Sequence, residues 1–255
     1  MLIFAFDASG DDSKPHLTVA GFVSSAADWE RLAAAWSIRL KQDDIEFFHA
    51  ADLDNFWGPF RHWQDRPDRK TLRENLCADL MDILKSHVYQ KFGSTIINSA
   101  FQKMDAKLRE EFALCAYSLA GRTCEKQIRE YVATHFTRDT EFGVVFEAGD
   151  KGKGKLQKRI SEDSGLQVTF KPKDFIPLQA ADWLAYELNK MSAKFGEGSL
   201  ESESQLRWPM REFWRYPPGP VGVYTPEDIR EMEKKVEATK QSIDSATTTQ
   251  RVSAK

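Results

Sequence analysis

Acidic residues end two apolar segments of the 255-residue chain. Asp7 directly follows the apolar residues 2–6, and Glu147 directly follows the apolar residues 142–146. Short continuous apolar runs that end at turn residues predict strands buried on both faces. If these two strands are parallel neighbours, both carboxylates lie at one edge of the sheet.

A third acid, Asp182, lies inside a segment that predicts a buried helix. Eight of the eleven residues 178–188 are apolar or aromatic, and Leu178 and Ala185 share the helix face of Asp182. An ionised carboxylate in such surroundings is unfavourable by an amount on the order of several kcal/mol unless a cation or hydrogen-bond donors compensate it. The position of Asp182 therefore suggests a partner that the local sequence does not supply.

The three acids together predict a metal site. Taken singly, each has the alternative explanation of a turn cap, a helix cap or an arginine partner. Carboxylates that converge repel one another, and a divalent cation that prefers hard oxygen ligands relieves the repulsion. We therefore expect Asp7, Glu147 and Asp182 to bind Mg²⁺ or Mn²⁺, with Asp150 as a further candidate ligand.

Such a site would support hydrolysis of a phosphodiester. Two metal ions about 4 Å apart activate a water, stabilise the leaving oxygen and hold the scissile phosphate. His49 is a candidate proton donor to the leaving group or a metal ligand, with Asp52 three residues later. The alternative is a histidine that hydrogen-bonds the backbone and an aspartate that caps the next turn. We predict four catalytic residues: Asp7, His49, Glu147 and Asp182.

A basic segment follows the second acidic residue. Residues 151–159 carry five basic side chains and no acid: Lys151, Lys153, Lys155, Lys158 and Arg159. Gly152 and Gly154 would let this segment approach a phosphate backbone closely, as sequence-independent binding of nucleic acid requires. The alternative is a solvated helix face. Beside a predicted metal site, the pattern favours contact with DNA or RNA.

Aromatic residues alternate with arginines in residues 57–66 and 207–216. Their rings could stack on bases while the arginines contact phosphates. Aromatic side chains more often close a core beneath long loops, and this is the interpretation we favour.

The apolar spacing around these residues predicts a mixed α/β domain. Strands are predicted at residues 2–6, 17–23, 89–97, 142–146, 166–170 and 221–224. Helices are predicted from Ser25, from Leu72, from Asp105 with a break at Gly121, from Pro177 and from Pro226. We expect a domain over residues 1–195, an extension over 196–238 that packs on it, and a disordered tail over 239–255.

Composition and motifs exclude several classes of protein. With 36 Lys and Arg against 39 Asp and Glu, the formal net charge of −3 argues against a general, charge-driven nucleic-acid coat protein. The three cysteines lack the close pairs of a zinc site, and no motif of a nucleotide triphosphatase, serine hydrolase or dinucleotide enzyme occurs. No apolar run approaches the roughly 20 residues of a membrane span, so we expect a cytoplasmic protein without membrane contact.

The motifs resemble the domain-of-unknown-function 3800 family, which looks like a branch of the ribonuclease H-like superfamily. The resemblance is carried by Asp7-Ala8-Ser9-Gly10, Phe48-His49-Ala50, the strand that ends at Glu147, and the helix segment Leu178-Gln179-Ala180-Ala181-Asp182. It implies a ribonuclease H-like mixed sheet flanked by helices and a carboxylate metal site at Asp7, Glu147 and Asp182. The family's first motif usually reads Asp-Glu-Ser-Gly, and Ala8 replaces the glutamate here.

Three functional hypotheses follow from the sequence. The leading one is a nuclease that depends on Mg²⁺ or Mn²⁺, with two ions and nucleic acid as its partner. A second is a ribonuclease H-like binding or assembly protein whose catalysis is impaired, because Ala8 replaces an acid. A third is a metal-dependent hydrolase of a small phosphate ester.

Overall fold

A computed structural model describes residues 1–112, 115–137, 139–149, 151–195, 202–232, 234 and 238. The strands of this part of the chain are β1 (Leu2–Ser9), β2 (His16–Ser25), β3 (Gln90–Ile97), β4 (Phe142–Glu147), β5 (Val168–Lys171) and β6 (Val221–Tyr224). They form one sheet in the order β5-β4-β1-β2-β3-β6. Strand β2 is antiparallel to both of its neighbours, and the other pairings are parallel.

Helices cover both faces of this sheet. The labelled α-helices are α1 (Ala26–Gln42), α2 (Ala50–Asn55), α3 (Arg69–His87), α4 (Asn98–Lys103), α5 (Ala106–Phe112), α6 (Ala116–His135), α7 (Lys153–Ser164), α8 (Ile176–Phe195) and α9 (Trp208–Arg215). Residues 226–232 are also helical, in agreement with the helix predicted from Pro226. The core on one face includes residues of α1, α3, α8 and α9, and the core on the other includes residues of α6 and α7. The predicted fold class, a mixed α/β sheet flanked by helices, is confirmed.

The alternation of side chains along β1 determines which helices Asp7 faces. Ala5 belongs to the core under α8, whereas Phe4 and Phe6 belong to the core under α6. Successive side chains of a strand point to opposite faces, so Asp7 lies on the α8 side. Ala8 packs with the α6 core.

The predicted break at Gly121 is wrong. Helix α6 runs through Gly121, where a Cβ would lie 2.6 Å from Cδ1 of Leu156 on α7. The glycine thus lets two helices pack closely and does not end either of them.

The C-terminal part of the described chain contacts the domain through β6, α9 and Ile229, which is buried in the core under α6. Strand β6 pairs with β3, and α9 packs against α8 and α3. The predicted tail at residues 239–255 lies outside the described residues, and the domain boundaries stay predictions. Within the described ranges, no helix has the length and apolar character needed to cross a bilayer.

Candidate carboxylate site

The register of two parallel strands brings Asp7 beside Glu147. Strands β1 and β4 are parallel neighbours, and Phe6 is paired with Phe146. The next residue of each strand is the acid, so both carboxylates leave the sheet at the same edge. The Asp7 side chain is fully buried, while that of Glu147 is 19% exposed.

Helix α8 supplies the third carboxylate. This helix packs on β1 and β2, and its Asp182 side chain is only 7% exposed. The backbone N–H of Ala50, at the start of α2, donates a hydrogen bond of 2.7 Å to Asp182 Oδ2. This donor compensates one oxygen of a carboxylate that the apolar helix would otherwise leave buried without a partner.

The three carboxylates converge on a single lysine. Lys173 Nζ lies 3.1 Å from Asp182 Oδ1, 3.4 Å from Asp7 Oδ2 and 3.9 Å from Glu147 Oε2. The lysine follows β5 and precedes α8, so a short loop carries its ammonium group over the sheet edge. The sequence suggests Lys173 only as an addition to the basic segment and does not predict its contact with these acids.

The four side chains named above form what we call the carboxylate site, in which negative charge is in excess. Burial opposes the charged form of Lys173, but the negative charges of Asp182, Asp7 and Glu147 outweigh it and raise the pKa of the lysine above its usual value. Burial also raises the pKa of Asp7 well above its usual value; Lys173 opposes this rise, and Asp182 and Glu147 reinforce it. One ammonium group therefore does not fully compensate three carboxylates.

His49 lies at the edge of the site and is held by Asp52. Its Nδ1 is 2.9 Å from Asp52 Oδ2, and its Nε2 is 3.7 Å from Asp182 Oδ1. Gly58 has φ +51°, and a Cβ there would lie 2.9 Å from Asp52 Oδ2. The absence of a side chain at Gly58 therefore leaves room for the carboxylate that orients His49.

Gln179 fixes the segment that carries His49. Its Oε1 accepts a hydrogen bond of 2.9 Å from the Phe48 N–H and one of 3.2 Å from Trp36 Nε1. Because Gln179 and Asp182 lie one turn apart on α8, the same helix positions a carboxylate and the histidine segment. Gln179 was visible in the sequence as one of the few polar residues of an apolar helix, but its role was not predicted.

The donor set fits a divalent cation, although the oxygens are not yet at ligand distance. All the side-chain donors of the three acids are hard oxygens, and Asp7 Oδ2 is buried without a hydrogen-bond partner. The distances of 3.1 to 3.9 Å from the lysine nitrogen exceed metal–oxygen distances of roughly 2.0 to 2.6 Å. Accordingly, the described residues contain no ready-made cluster of three His, Cys, Asp or Glu ligands. A cation bound between the three acids would have to replace the Lys173 ammonium group, which contacts the same oxygens.

Comparisons with known proteins leave the family open. No family model matches the sequence, and no curated protein matches it. A matching solved structure is described as the PCNA:RNase HII complex from Archaeoglobus fulgidus; its TM-score is 0.35 and its sequence identity 17%, over 84% of this chain and 87% of that chain. Similarity at this level carries no argument about function. Membership of the domain-of-unknown-function 3800 family stays a prediction.

The basic segment lies directly beyond Glu147, mostly on α7. Lys151, Lys153, Lys155 and Lys158 are exposed, and Arg159 is half-buried. Some of these charges already have contacts within the chain. Lys153 donates to the Ala148 carbonyl, while Lys158 and Arg159 pair with Glu162. Asp150, the further candidate ligand, lies outside the described residues.

Ala8 faces away from the carboxylate site. Its side chain packs with the core under α6, on the opposite side of β1 from Asp7. Its backbone N–H donates a hydrogen bond of 2.7 Å to Asp7 Oδ1. The backbone at Ala8 therefore contacts the site although its side chain does not.

Proposed function

We propose that this protein is a nuclease of the ribonuclease H-like superfamily that depends on Mg²⁺ or Mn²⁺ and hydrolyses phosphodiester bonds in nucleic acid. The observation that carries the proposal is the convergence of Asp7, Glu147 and Asp182. These acids come from β1, β4 and α8, and one oxygen of each lies within 3.9 Å of the same point. One acid on the first strand, one on a later central strand and one on a late helix is also the chain order of that superfamily.

Asp7, Glu147 and Asp182 would hold the metal ions. The bound ions would activate a water and stabilise the leaving oxygen. Asp182 keeps one oxygen, Oδ2, fixed by the Ala50 N–H, so that its other oxygen is the one directed at the centre of the site. Glu147 is the most exposed of the three acids, and it marks the side from which substrate can enter.

His49 is placed to give a proton to the leaving oxygen. Asp52 fixes the imidazole from the Nδ1 side, which leaves Nε2 facing Asp182 and the site. Its side chain is 32% exposed, so the ring can exchange protons with solvent between turnovers.

The basic segment supports nucleic acid as the substrate. Its exposed lysines begin four residues after Glu147, at the same edge of the sheet. Positive charges at this place would hold the phosphate backbone without reading its sequence. A small phosphate ester would not need a binding surface of this extent.

A calorimetric titration with Mn²⁺ tests the metal site. The wild-type chain should bind Mn²⁺, and Asp182→Asn should weaken binding on the order of a hundredfold or more, because it removes an anionic ligand. Asp65→Asn, a change to an exposed acid, serves as the matched control and should bind like the wild type.

Nuclease assays on single-stranded, duplex and hybrid substrates then test the activity. Cleavage should require Mn²⁺ or Mg²⁺ and should be lost in Asp182→Asn but not in Asp65→Asn. Cleavage that persists in Asp182→Asn would place the activity elsewhere.

A non-catalytic binding protein is the second candidate. The observation in its favour is Lys173, whose ammonium group already neutralises part of the charge that a metal would neutralise. That function predicts binding of nucleic acid with no uptake of Mn²⁺ by the wild-type chain.

A further inference from the structure

A cavity of about 610 Å³ opens next to the carboxylate site. Its walls come from α2, α3, α8 and α9. Ala50 lines the cavity, and the N–H of the same residue binds Asp182. Its volume lies in the range of sites that hold small molecules, roughly 300 to 1,000 Å³.

One wall of the cavity carries two arginines that share an acidic partner. Arg73 and Arg207 both line it, and both contact Asp54. Arg207 donates two hydrogen bonds to this carboxylate, of 2.6 and 3.2 Å, and Lys190 donates another. The lining also contains Glu74 and Glu187, so its two arginines face three acids and positive charge is not in excess.

The cavity wall also contains a buried carboxyl group, that of Glu187, with one oxygen that lacks a hydrogen-bond partner in the part of the chain that the structure describes. The Glu187 side chain is 2% exposed, and its Oε2 makes no hydrogen bond among the described residues. Its Oε1 lies 3.6 Å from Arg207 Nη2. Burial raises the pKa of Glu187 to about 7 against the opposing effect of Arg207, so the group can accept or donate a hydrogen bond near neutral pH.

An aromatic ring stands in the same cavity. Trp208 lines it and is 37% exposed, whereas the other tryptophan of the lining, Trp183, is buried in the core. A partly exposed indole offers a flat apolar surface on which a base can stack.

We propose that this cavity binds a nucleobase of the substrate. The base would stack on Trp208 and direct its polar edge at Glu187. The proposal rests on the proposed nuclease function and adds a second binding site to it.

Calorimetry of the whole chain with nucleoside monophosphates, without metal, tests this inference. Ribose 5-phosphate and inorganic phosphate are titrated in parallel, because they share the anionic group but lack the base. A nucleoside monophosphate should bind at least tenfold more tightly than ribose 5-phosphate. Equal affinities would overturn the proposal, because the arginines alone would then explain binding.

Two substitutions locate the site. Trp208→Ala should weaken nucleotide binding about tenfold or more through the loss of stacking. Glu187→Gln keeps the volume of the side chain and should change the relative affinities for the bases. The matched control is Trp214→Ala, since Trp214 is exposed to 42% on the same helix but does not line the cavity. Unchanged binding in Trp208→Ala, or an equal loss in Trp214→Ala, would contradict the proposal.

The Asp182→Asn variant separates this inference from the proposed function. It should bind nucleoside monophosphates like the wild type although it cannot cleave. Nucleotide binding in a chain that shows no metal-dependent cleavage would refute the nuclease and keep the base site. Cleavage without nucleotide binding would do the reverse.

Discussion

Helix α2 contacts two charged clusters whose charge balance is opposite. In the carboxylate site, three acids share the ammonium group of Lys173. In the second cluster, one acid contacts three cations and a phenol; we call this the Asp54 cluster, and its members are Asp54, Arg73, Tyr186, Lys190 and Arg207. The first cluster has one cation for three acids, whereas the second has three cations around Asp54, one of which, Arg207, also lies 3.6 Å from Glu187.

The pKa values of Asp7 and Asp54 are shifted in opposite directions, in agreement with the charges around each carboxylate. Burial raises the pKa of Asp7 well above its usual value, and Lys173 only partly opposes this. Burial also acts to raise the pKa of Asp54, but Lys190, Arg207 and Tyr186 outweigh it and lower the pKa to about 2. A carboxylate satisfied by its own chain serves structure, whereas one that its chain leaves under-compensated is suited to an external cation.

Removal of Asp54 should give the largest change in stability. Asp54→Ala leaves Arg73, Lys190 and Arg207 close together without their common partner, so the free energy of unfolding should fall by about 3 kcal/mol. Denaturant unfolding measures this, with Asp79→Ala as the control, because Asp79 is 53% exposed and its pairing with Arg39 should contribute at most about 1 kcal/mol. If both variants lose equally little, the Asp54 cluster does not stabilise the fold.

The pH dependence of stability should also reveal Asp54. Its pKa is lower in the folded chain than the usual 3.8, so the stability it contributes is fully present above about pH 4 and is lost as the pH falls toward 2. The difference in unfolding free energy between wild type and Asp54→Asn should therefore shrink by about 2 kcal/mol over this interval. Denaturant unfolding of both chains from pH 5 to pH 2 provides the measurement. A constant difference would show that Asp54 is not held in its charged form by its neighbours.

The two clusters also differ in how far the sequence predicts them. Asp7 and Glu147 could be placed together because each directly follows an apolar run, although β1 continues past Asp7 to Ser9. Asp182 stood out as an acid in an apolar helix. The Asp54 cluster could not be predicted, because its members come from α2, α3, α8 and the start of α9, and their contacts depend on how these helices pack. The contact of Lys173 with the acids could not be predicted either, because the loop between β5 and α8 decides where its ammonium group lies.

The fold could be predicted from the sequence more completely than the site, because strands and helix starts depend on neighbouring residues in the chain. The apolar runs located the strands, and Ser25 caps α1 as predicted, where its side chain accepts a hydrogen bond of 3.0 Å from the Asp28 N–H. The break predicted at Gly121 is wrong because a glycine in a helix can either end the helix or leave room for a neighbouring side chain. The sequence of α6 alone does not contain Leu156, which decides between them.

Removal of the lysine in the carboxylate site should affect metal binding and stability in opposite directions. Lys173→Met keeps most of the side-chain length but removes the charge, so the metal-free chain should lose stability through repulsion between Asp7, Glu147 and Asp182. Mn²⁺ should then bind about tenfold more tightly, a change of about 1.4 kcal/mol, because no internal cation competes for the same oxygens. Calorimetry and thermal unfolding without metal measure the two effects.

Lys171→Met, an exposed position two residues earlier, is the control. Weaker Mn²⁺ binding in Lys173→Met would mean that the lysine holds the carboxylates in place for the metal and does not compete with it.

The smallest effect is expected at the surface beside the carboxylate site. Lys151 and Lys155 are exposed, so each should contribute only a screened, sequence-independent contact with phosphate. The double variant Lys151→Ala, Lys155→Ala should weaken binding of an oligonucleotide severalfold at moderate salt. It should also reduce the slope of log affinity against log salt concentration by about 1 for each lysine.

The slope matters more than the affinity in this experiment, because a change in folding could lower affinity without altering the number of ions released. Lys103→Ala, at the exposed end of α4, removes one positive charge away from the basic segment and should leave the slope unchanged. If the double variant and this control have the same slope, the basic segment is a solvated helix face. The positive charges beside the carboxylate site would then have no role in holding nucleic acid.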